Sequence, residues 1–285
     1  MGRKVAQTVG VIAEIWRYPV KSMLGEQLTE ARLTPTGLEG DREWALLDAQ
    51  SERVLSAKKW PALLELHAAC APAGFAGHRQ AQVVVTMPDG RALAVGEPAS
   101  SQALSQYLGH AVSFARAQPE QCLRAEIDPT SVFGDVPASM MLPGFADASM
   151  PDTFSLVKGG FCDAAPLHLL TSATLEFLRR RCGTDAKIDA RRFRPNFLLA
   201  TAEGLDGLYE DRWRRLNLKL GEQAQLEVIR PSLRCVMTTH QQADLPRDLR
   251  VLRAIARENT GHLGVFATVS EPGKVRVGDH VMLCV

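Results

Sequence analysis

The sequence has no long apolar run, no closely paired cysteines and almost no net charge, and each absence excludes a class of protein. No stretch of about 18 or more apolar residues occurs, so a transmembrane helix is excluded. The N-terminal segment MGRKVAQTVG shows no signal-peptide pattern, and Ala6 stands where a myristoylation motif requires Ser or Thr. We therefore expect a soluble, cytoplasmic protein.

The six cysteines are scattered and form no CxxC pair. Zinc ribbons, thioredoxin-type redox pairs and ferredoxin cluster loops are therefore unsupported. In a chain without a secretion signal, this spacing indicates reduced thiols.

The net charge is +1, so no global electrostatic argument favours nucleic acid or a membrane surface as a partner. Any basic site must be a local cluster. The 285 residues, 46% of them hydrophobic, are enough for one large or two ordinary domains with real cores.

The first half of the chain is predicted to be a small β-rich module with one helix. Strands are expected at 9–18, near 28–34 and near 43–48, from partial apolar–polar alternation. VVVTMPDGRALAV predicts a hairpin that turns at Asp89-Gly90. A helix is expected at about 98–108, ended by Gly109.

Residues 117–155 are rich in Pro, Gly and small residues, which is typical of a long irregular connection with a functional or mobile role. After it, PLHLLTSATLEFLRRRCG predicts a strand and a helix capped by Thr171 or Ser172. NFLLAT, RLNLKL, AQLEVIR and CVMTTH predict strands, and PRDLRVLRAIARENTG an amphipathic helix. The last 23 residues predict two strands. The expected fold is a β-rich α+β fold with domains at 8–124 and 125–285.

Four stretches place polar or cationic residues beside turn signals, where functional groups are favoured. They are RYPVKS (17–22), GDREW (40–44), DARRFRPN (189–196) and SLRC (232–235). The side chains that matter in them are Lys21, Ser22, Arg42, Arg192, Arg194, Asn196 and Arg234. If the cations converge, they form an anion pocket. The alternative is that they are solvated or paired with Asp41, Asp189 and Glu43, because most surface ion pairs contribute little.

Cys235, in RPSLRCVMTTH, has two interpretations. A free cysteine usually packs as a small buried hydrophobe. The thiolate form is instead a nucleophile and a soft metal ligand. His240 is predicted on the opposite face of the same strand, so one protein thiolate would serve a metal that arrives inside an organic cofactor with its own donors.

Five motifs in order carry a resemblance to a known family: YPVKS, GLEGDREWALLD, DARRFRPNFLL, RCVMTT and GKVRVGDHVML. The chain resembles the MOSC family, whose members bind molybdenum cofactor, in its two-part form with an N-terminal β-barrel-like domain. Within that family it is most similar to the amidoxime-reducing branch, mitochondrial and bacterial. The resemblance runs from about residue 8 to the end.

The resemblance implies a role for each matched residue. Cys235 would bind molybdenum beside the two dithiolene sulfurs of the pterin and oxo-type oxygens. Lys21, Ser22 and Arg42 would grip the pterin and its phosphate. The further cofactor contacts are Arg194, Asn196 and Arg234, with Arg192 at a position that varies in the family, and Ala164 and Ala165 in CDAAP through their backbone. No Gly-rich loop offers a second phosphate site, so we expect molybdopterin without an added nucleotide.

The implied function is molybdenum-dependent reduction of N-hydroxylated or N-oxide compounds. No cluster cysteines are present, so electrons are expected from a separate ferredoxin-, flavodoxin- or cytochrome-type protein. Candidate proton donors are Asp163, His168 and His240.

Two other hypotheses for the function stay open. The protein could be a non-catalytic cofactor carrier or sulfur-transfer protein, or Cys235 could be a packing residue of the core.

Two stretches depart from the amidoxime-reducing pattern. Leu233 stands where that branch has a serine, and HQQADLPRD follows the TT of RCVMTT where relatives often have VDPDTG. We expect substrate access to differ there.

Overall fold

The computed structural model describes residues 6–72, 82–144 and 150–284. This part of the chain contains eighteen strands and four α-helices. The strands are β1 (Ala6–Arg17), β2 (Glu26–Leu28), β3 (Glu30–Thr34), β4 (Gly37–Leu38), β5 (Trp44–Asp48), β6 (His67–Ala71), β7 (Gln82–Thr86), β8 (Ala92–Ala94), β9 (Val112–Arg116), β10 (Arg124–Glu126), β11 (Thr153–Ser155), β12 (Leu167–Thr171), β13 (Phe197–Thr201), β14 (Asn217–Leu220), β15 (Ala224–Leu233), β16 (His262–Glu271), β17 (Gly273–Arg276) and β18 (His280–Cys284). The α-helices are α1 (Pro98–Leu108), α2 (Ala138–Met141), α3 (Ser172–Cys182) and α4 (Arg250–Asn259).

Seven strands close into a barrel in the order β1, β13, β12, β16, β15, β14, β18 and back to β1. Only the β12–β13 pair is parallel; the other six pairs are antiparallel. One hydrophobic cluster draws buried residues from all seven strands. The predicted β-rich α+β fold is confirmed.

The first strand of the chain is part of this barrel, although the other six strands lie beyond residue 166. Val9, Ile12 and Ile15 are almost fully buried, at a spacing of three instead of two. The register shifts between Thr8 and Gly10 on one side and between Ile12 and Glu14 on the other. Such bulges insert an extra residue and change which side chains face inward, which explains why strict alternation fails in β1.

The rest of the N-terminal half forms smaller sheets around a second core. β5 pairs with β9, and β6, β7 and β8 form a three-stranded sheet packed with α1. The predicted hairpin is confirmed, with Val85 opposite Leu93. The predicted helix is confirmed as α1, and Gly109 ends it in the left-handed conformation at φ 62°, where glycine carries no steric penalty.

The helices of the second half pack on the barrel. Thr171 caps α3, as predicted, by accepting the Thr174 N–H at 3.2 Å. Helices α3 and α4 share a hydrophobic cluster with Phe193 and Leu198. None of the described helices is long and apolar enough to cross a bilayer.

The connection at 117–155 is less irregular than predicted. β10 pairs with β11, and α2 lies between them in sequence. Ile127, Val132 and Phe133 pack with residues of α4 in a cluster of their own. Residues 145–149 lie outside the described part of the chain.

Two secondary-structure predictions were wrong. CVMTTH is no strand: Val236–Thr239 form a 3-10 helix preceded by Cys235. The last residues form three strands instead of two, because β17 leaves the barrel and pairs with β3, Val275 opposite Ala31. The division into domains at 124/125 stays a prediction, with β1 completing the barrel of the second half.

Glu210 gives a prediction about stability. Its carboxylate is buried and accepts the hydroxyls of Thr171 and Thr174 at 2.8 and 2.7 Å. Burial raises the pKa of Glu210 from 4.5 to about 7. Because the unfolded chain loses this proton first, stability falls as the pH rises from 4.5 to about 7 and stays reduced above that. Glu210→Gln is expected to stabilise the protein by roughly 3 kcal/mol at pH 8, since the pKa rises from 4.5 to about 7 and each pKa unit corresponds to about 1.4 kcal/mol.

Thermal melts of wild type and Glu210→Gln at pH 5 and pH 8 test this, with exposed Glu222→Gln as the control. The gain in Tm should be larger at pH 8 than at pH 5. An equal gain at both pH values would contradict the proposed ionisation.

Candidate functional site

All ten residues expected from the sequence to bind the cofactor or its metal line one cavity of about 460 Å³. They are Lys21, Ser22, Arg42, Ala164, Ala165, Arg192, Arg194, Asn196, Arg234 and Cys235. Both halves of the chain contribute, so the cavity lies where they meet. The structure therefore brings the cations together, which sequence spacing alone did not establish.

Lys21 and Ser22 follow β1 in a bend that is tied to β5. The Lys21 N–H donates to the Trp44 carbonyl at 2.8 Å. The buried Lys21 ammonium donates to the Phe161 carbonyl at 2.9 Å and pairs with Asp163. The Ser22 hydroxyl accepts the Ala57 N–H at 3.0 Å. These bonds join the bend to β5 and to the segments that contain Ala57 and Phe161.

Arg42 and Arg194 are both stacked on the ring of buried Tyr18, with guanidinium carbons 4.7 and 4.2 Å from its centroid. Arg42 pairs with Asp41 and donates to the Arg194 carbonyl at 3.2 Å. Arg194 Nη1 donates to the Met23 carbonyl at 2.6 Å, whereas its buried Nη2 has no hydrogen-bond partner among the described residues. Burial, and then the charge of Arg42, lower the pKa of Arg194 to about 10.

Ser22, Arg42 and Arg194 share an unusual backbone conformation. Their φ angles are 68°, 49° and 54°, in the left-handed region that non-glycine residues rarely adopt. Such conformations cost about 1–3 kcal/mol each and concentrate at functional sites. Three in one cavity wall indicate that the surrounding fold holds these side chains in place.

Arg234 and Cys235 come directly after β15. Arg234 donates to Ser232 Oγ at 2.8 Å and to the Phe193 carbonyl at 2.7 Å, while its buried Nε has no partner in the described chain. Burial lowers the pKa of Arg234 to about 10. Cys235 is partly exposed and packs between two hydrophobic clusters, one from each half. The thiols of Cys162 and Cys182 contact backbone carbonyls; the Cys235 thiol has no hydrogen bond to any described residue.

Two predicted residues use their side chains to hold neighbouring backbone segments. Asn196 accepts the His168 N–H at 3.1 Å and donates to the Trp16 carbonyl at 3.3 Å. Arg192 is fully buried and donates only to backbone carbonyls. Its acceptors are Lys187 at 2.8 Å, Thr238 at 3.4 Å, His240 at 3.3 Å and Pro246 at 2.7 Å. Arg192 therefore anchors the 3-10 helix after Cys235.

The three candidate proton donors differ in their surroundings. Asp163 is bridged by Lys21 and Lys58; burial alone would raise its pKa, but the two lysines hold the pKa of Asp163 well below its usual range. Burial, and then Arg234, hold the pKa of His168 well below 6.5, so it is neutral. His240 does not line the cavity. Among these three, none is a protonated acid at neutral pH.

Sequence reasoning missed Lys58 and an apolar wall. The Lys58 ammonium lies 2.7 Å from Asp163 and 3.8 Å from the centroid of the Phe154 ring. The apolar wall comes mostly from the 117–155 connection and consists of Ile127, Val132, Phe133, Leu142, Met150, Pro151 and Phe154. Leu233, where the sequence departs from the family pattern, also lines the cavity, whereas residues 240–248 do not.

Comparison with family models identifies two known domains in the chain. The MOSC domain matches residues 157–282, and the MOSC N-terminal beta barrel domain matches residues 9–120. The chain belongs to the MOSC family. Among curated proteins, this MOSC chain is similar to mitochondrial amidoxime-reducing component 1 from Homo sapiens, with 24% identity over 314 residues that cover 99% of this chain and 85% of that protein.

The same protein from Mus musculus is 26% identical over 307 residues, covering 99% and 84% of the two chains. Among solved structures, the YUAD protein from Bacillus subtilis is 11% identical with a TM-score of 0.48, over 98% of this MOSC chain and 97% of that one. That structural likeness is too distant to add to the argument.

A conventional metal site is not found in the described part of this MOSC chain, where no three His, Cys, Asp or Glu side chains are grouped as metal ligands. A metal at Cys235 would need most of its ligands from another molecule.

Proposed function

We propose that the cavity binds molybdenum cofactor, with Cys235 as the protein's thiolate ligand, and that the protein reduces N-hydroxylated or N-oxide compounds. The observation that carries the proposal is the set of unpartnered groups in one cationic cavity. Arg194 Nη2 and Arg234 Nε are buried donors without acceptors, and the Cys235 thiol has no hydrogen-bond partner among the described residues. Buried polar groups are normally paired, so a ligand with anionic oxygens is the expected complement.

The donor set fits this cofactor. A phosphorylated pterin dithiolene carries an anionic phosphate, which arginine forks bind well, and brings its own sulfur ligands to the metal. A single thiolate is a suitable soft protein ligand. Lys21, Arg42, Arg194 and Arg234 would hold the cofactor, and the backbone of Ala164 and Ala165 faces the same space.

When bound, the cofactor supplies two-electron redox chemistry, so that an N–OH group takes up two electrons and two protons and yields N–H and water. The chain's own residues bind and orient. The Tyr18 ring supports both Arg42 and Arg194, because each guanidinium is attracted to the ring face. The side-chain oxygen of Asn196 accepts a hydrogen bond from the Arg42 guanidinium at 3.4 Å and so helps to fix its position.

At the polar end of the cavity a proton is held on Lys58: burial alone would lower the pKa of its ammonium, but ionised Asp163 raises it. The apolar wall removes water from the space next to Cys235. Electrons would come from a separate ferredoxin-, flavodoxin- or cytochrome-type protein, and the substrate would be a small N-hydroxylated compound.

The proposal is tested on protein made in cells that synthesise the cofactor. We expect near-stoichiometric molybdenum by elemental mass spectrometry, molybdopterin after release, and turnover of an amidoxime when a chemical reductant supplies electrons. Molybdenum without turnover, together with rapid transfer of cofactor to an apo-enzyme, would favour a carrier or sulfur-transfer protein. Protein with neither metal nor pterin would contradict both.

A further inference from the structure

Lys58 lies between the charged residues of the cavity and its apolar wall. On one side it shares Asp163 with Lys21. On the other its ammonium faces the Phe154 ring at 3.8 Å. Its side chain is only 9% exposed. Lys58 is thus a buried cation in contact with both Asp163 and the apolar wall.

The Lys58 ammonium has donor capacity left for a ligand. A lysine ammonium carries three N–H donors. One donates to Asp163 at 2.7 Å, and the Phe154 ring accepts the charge on a second side. Among the described residues no other acceptor is bonded to it. Lys58 lines the same cavity as Cys235, the proposed metal ligand, and Arg234.

The five cavity cations predicted from the sequence have other contacts. Lys21 is bonded to Asp163 and the Phe161 carbonyl, and Arg192 only to backbone carbonyls. Arg42, Arg194 and Arg234 are enclosed by Tyr18, Asn196 and Phe193. Of these cations, Lys58 lies nearest to a ring of the apolar wall. Its ammonium is 3.8 Å from the centroid of the Phe154 ring, compared with 5.8 Å for Lys21.

We propose that Lys58 orients the substrate by donating a hydrogen bond to the oxygen of its N–O group, with the substrate's apolar part against Phe154 and Phe133. The inference rests on the proposed function and deepens it. It assigns a substrate class in which a polar N–OH head is joined directly to an aromatic or branched aliphatic body.

The chain offers a matched control for this assignment. Lys59 is the next residue, but its side chain is 43% exposed and pairs with Glu126 at 2.8 Å outside the cavity. Lys58→Met and Lys59→Met remove the same charge from neighbouring positions. Lys58→Arg keeps the charge and serves as a second variant where Lys58→Met fails to fold.

The experiment measures binding without turnover. In the absence of an electron donor an aryl amidoxime is not consumed, so its Kd for the molybdenum-loaded protein can be measured by calorimetry. The matching amidine lacks the N–O oxygen. Lys58→Met is expected to weaken amidoxime binding about tenfold or more, as for a lost hydrogen bond to a charged group. It should not weaken binding of the amidine, because the amidine is a cation at neutral pH and is repelled by the Lys58 ammonium, and it should leave molybdenum content unchanged. Lys59→Met should change the Kd of neither ligand by more than about twofold.

Each other result has a defined meaning. Equal weakening of amidoxime and amidine in Lys58→Met would make Lys58 structural and overturn the assignment, and so would unchanged amidoxime binding. Loss of molybdenum in Lys58→Met that Lys58→Arg restores would assign Lys58 to the cofactor and equally overturn it. If Lys58→Met does not fold, amidoxime binding by Lys58→Arg as weak as its amidine binding would overturn it, and retained preference for the amidoxime would support it. Wild type without molybdenum would instead contradict the proposed function.

Discussion

Substituting Cys235 by serine is expected to remove the molybdenum or, where some metal is retained, to abolish turnover. The reason is that Cys235 is the only soft ligand proposed from the protein, and a hydroxyl is a poor substitute for a thiolate on a soft metal. Changes in groups that merely support metal ligands cost about 10–100-fold in affinity or activity, so loss of the ligand should cost at least about 100-fold. Elemental mass spectrometry and amidoxime turnover on the same preparation check this.

Two other cysteines provide controls for the Cys235→Ser result. Cys122 is exposed and lies outside the cavity, so Cys122→Ser should keep both metal and turnover. Cys162 lines the same cavity, but it is buried, its thiol contacts the Pro166 carbonyl at 3.9 Å, and burial raises the pKa of that thiol to about 12. Cys162→Ser should therefore keep its molybdenum. If Cys235→Ser kept the metal content and turnover of the wild type, Cys235 would be a packing residue and not the metal ligand.

The residues of the site were largely predictable because each lies next to a local signal. Lys21 and Arg194 lie near Pro19 and Pro195 in bends, and Arg234 lies between two stretches that were predicted as strands. What the sequence could not show was how each cation is used. Arg192 and Arg194 are two residues apart, yet all three side-chain nitrogens of Arg192 donate to backbone carbonyls, whereas Arg194 has a buried nitrogen without a partner among the described residues. That difference depends on distant segments that come near only in the fold.

Lys58 is a second residue whose role could not be predicted from the sequence. Lys58 and Lys59 are identical neighbours in the sequence, and nothing local separates the buried one from the exposed one. The apolar wall was missed because its residues fall in a Pro- and Gly-rich stretch without periodicity, where pattern matching has nothing to detect. The 3-10 helix after Cys235 was predicted as a strand because Val, Met and Thr favour strands, whereas its position is set by the Arg192 anchor.

The second half of the chain, residues 125–285, is expected not to fold alone. β1 supplies the strand between β13 and β18, and without it the barrel opens and exposes two unpaired edges. Val9, Ile12 and Ile15 would also leave the core, and each fully buried aliphatic side chain contributes about 1.5–3 kcal/mol. Their combined loss is comparable with the whole stability of a typical domain. We expect aggregation or a non-cooperative thermal transition for this fragment, measured by size-exclusion chromatography and calorimetry.

A rearranged fragment separates barrel closure from cofactor binding. Ala6 lies opposite Cys284, so residues 6–17 can follow Val285 through a short Asn-Gly turn and re-enter their place as the next antiparallel strand. This fragment should be soluble and unfold cooperatively, but it lacks Lys21 and Arg42 and should therefore bind the cofactor far more weakly than the full chain. A cooperative fold without β1 would show that barrel closure is dispensable. Full-strength cofactor binding by the rearranged fragment would show that the second half holds the cofactor by itself, and the cavity between the two halves would lose its proposed role.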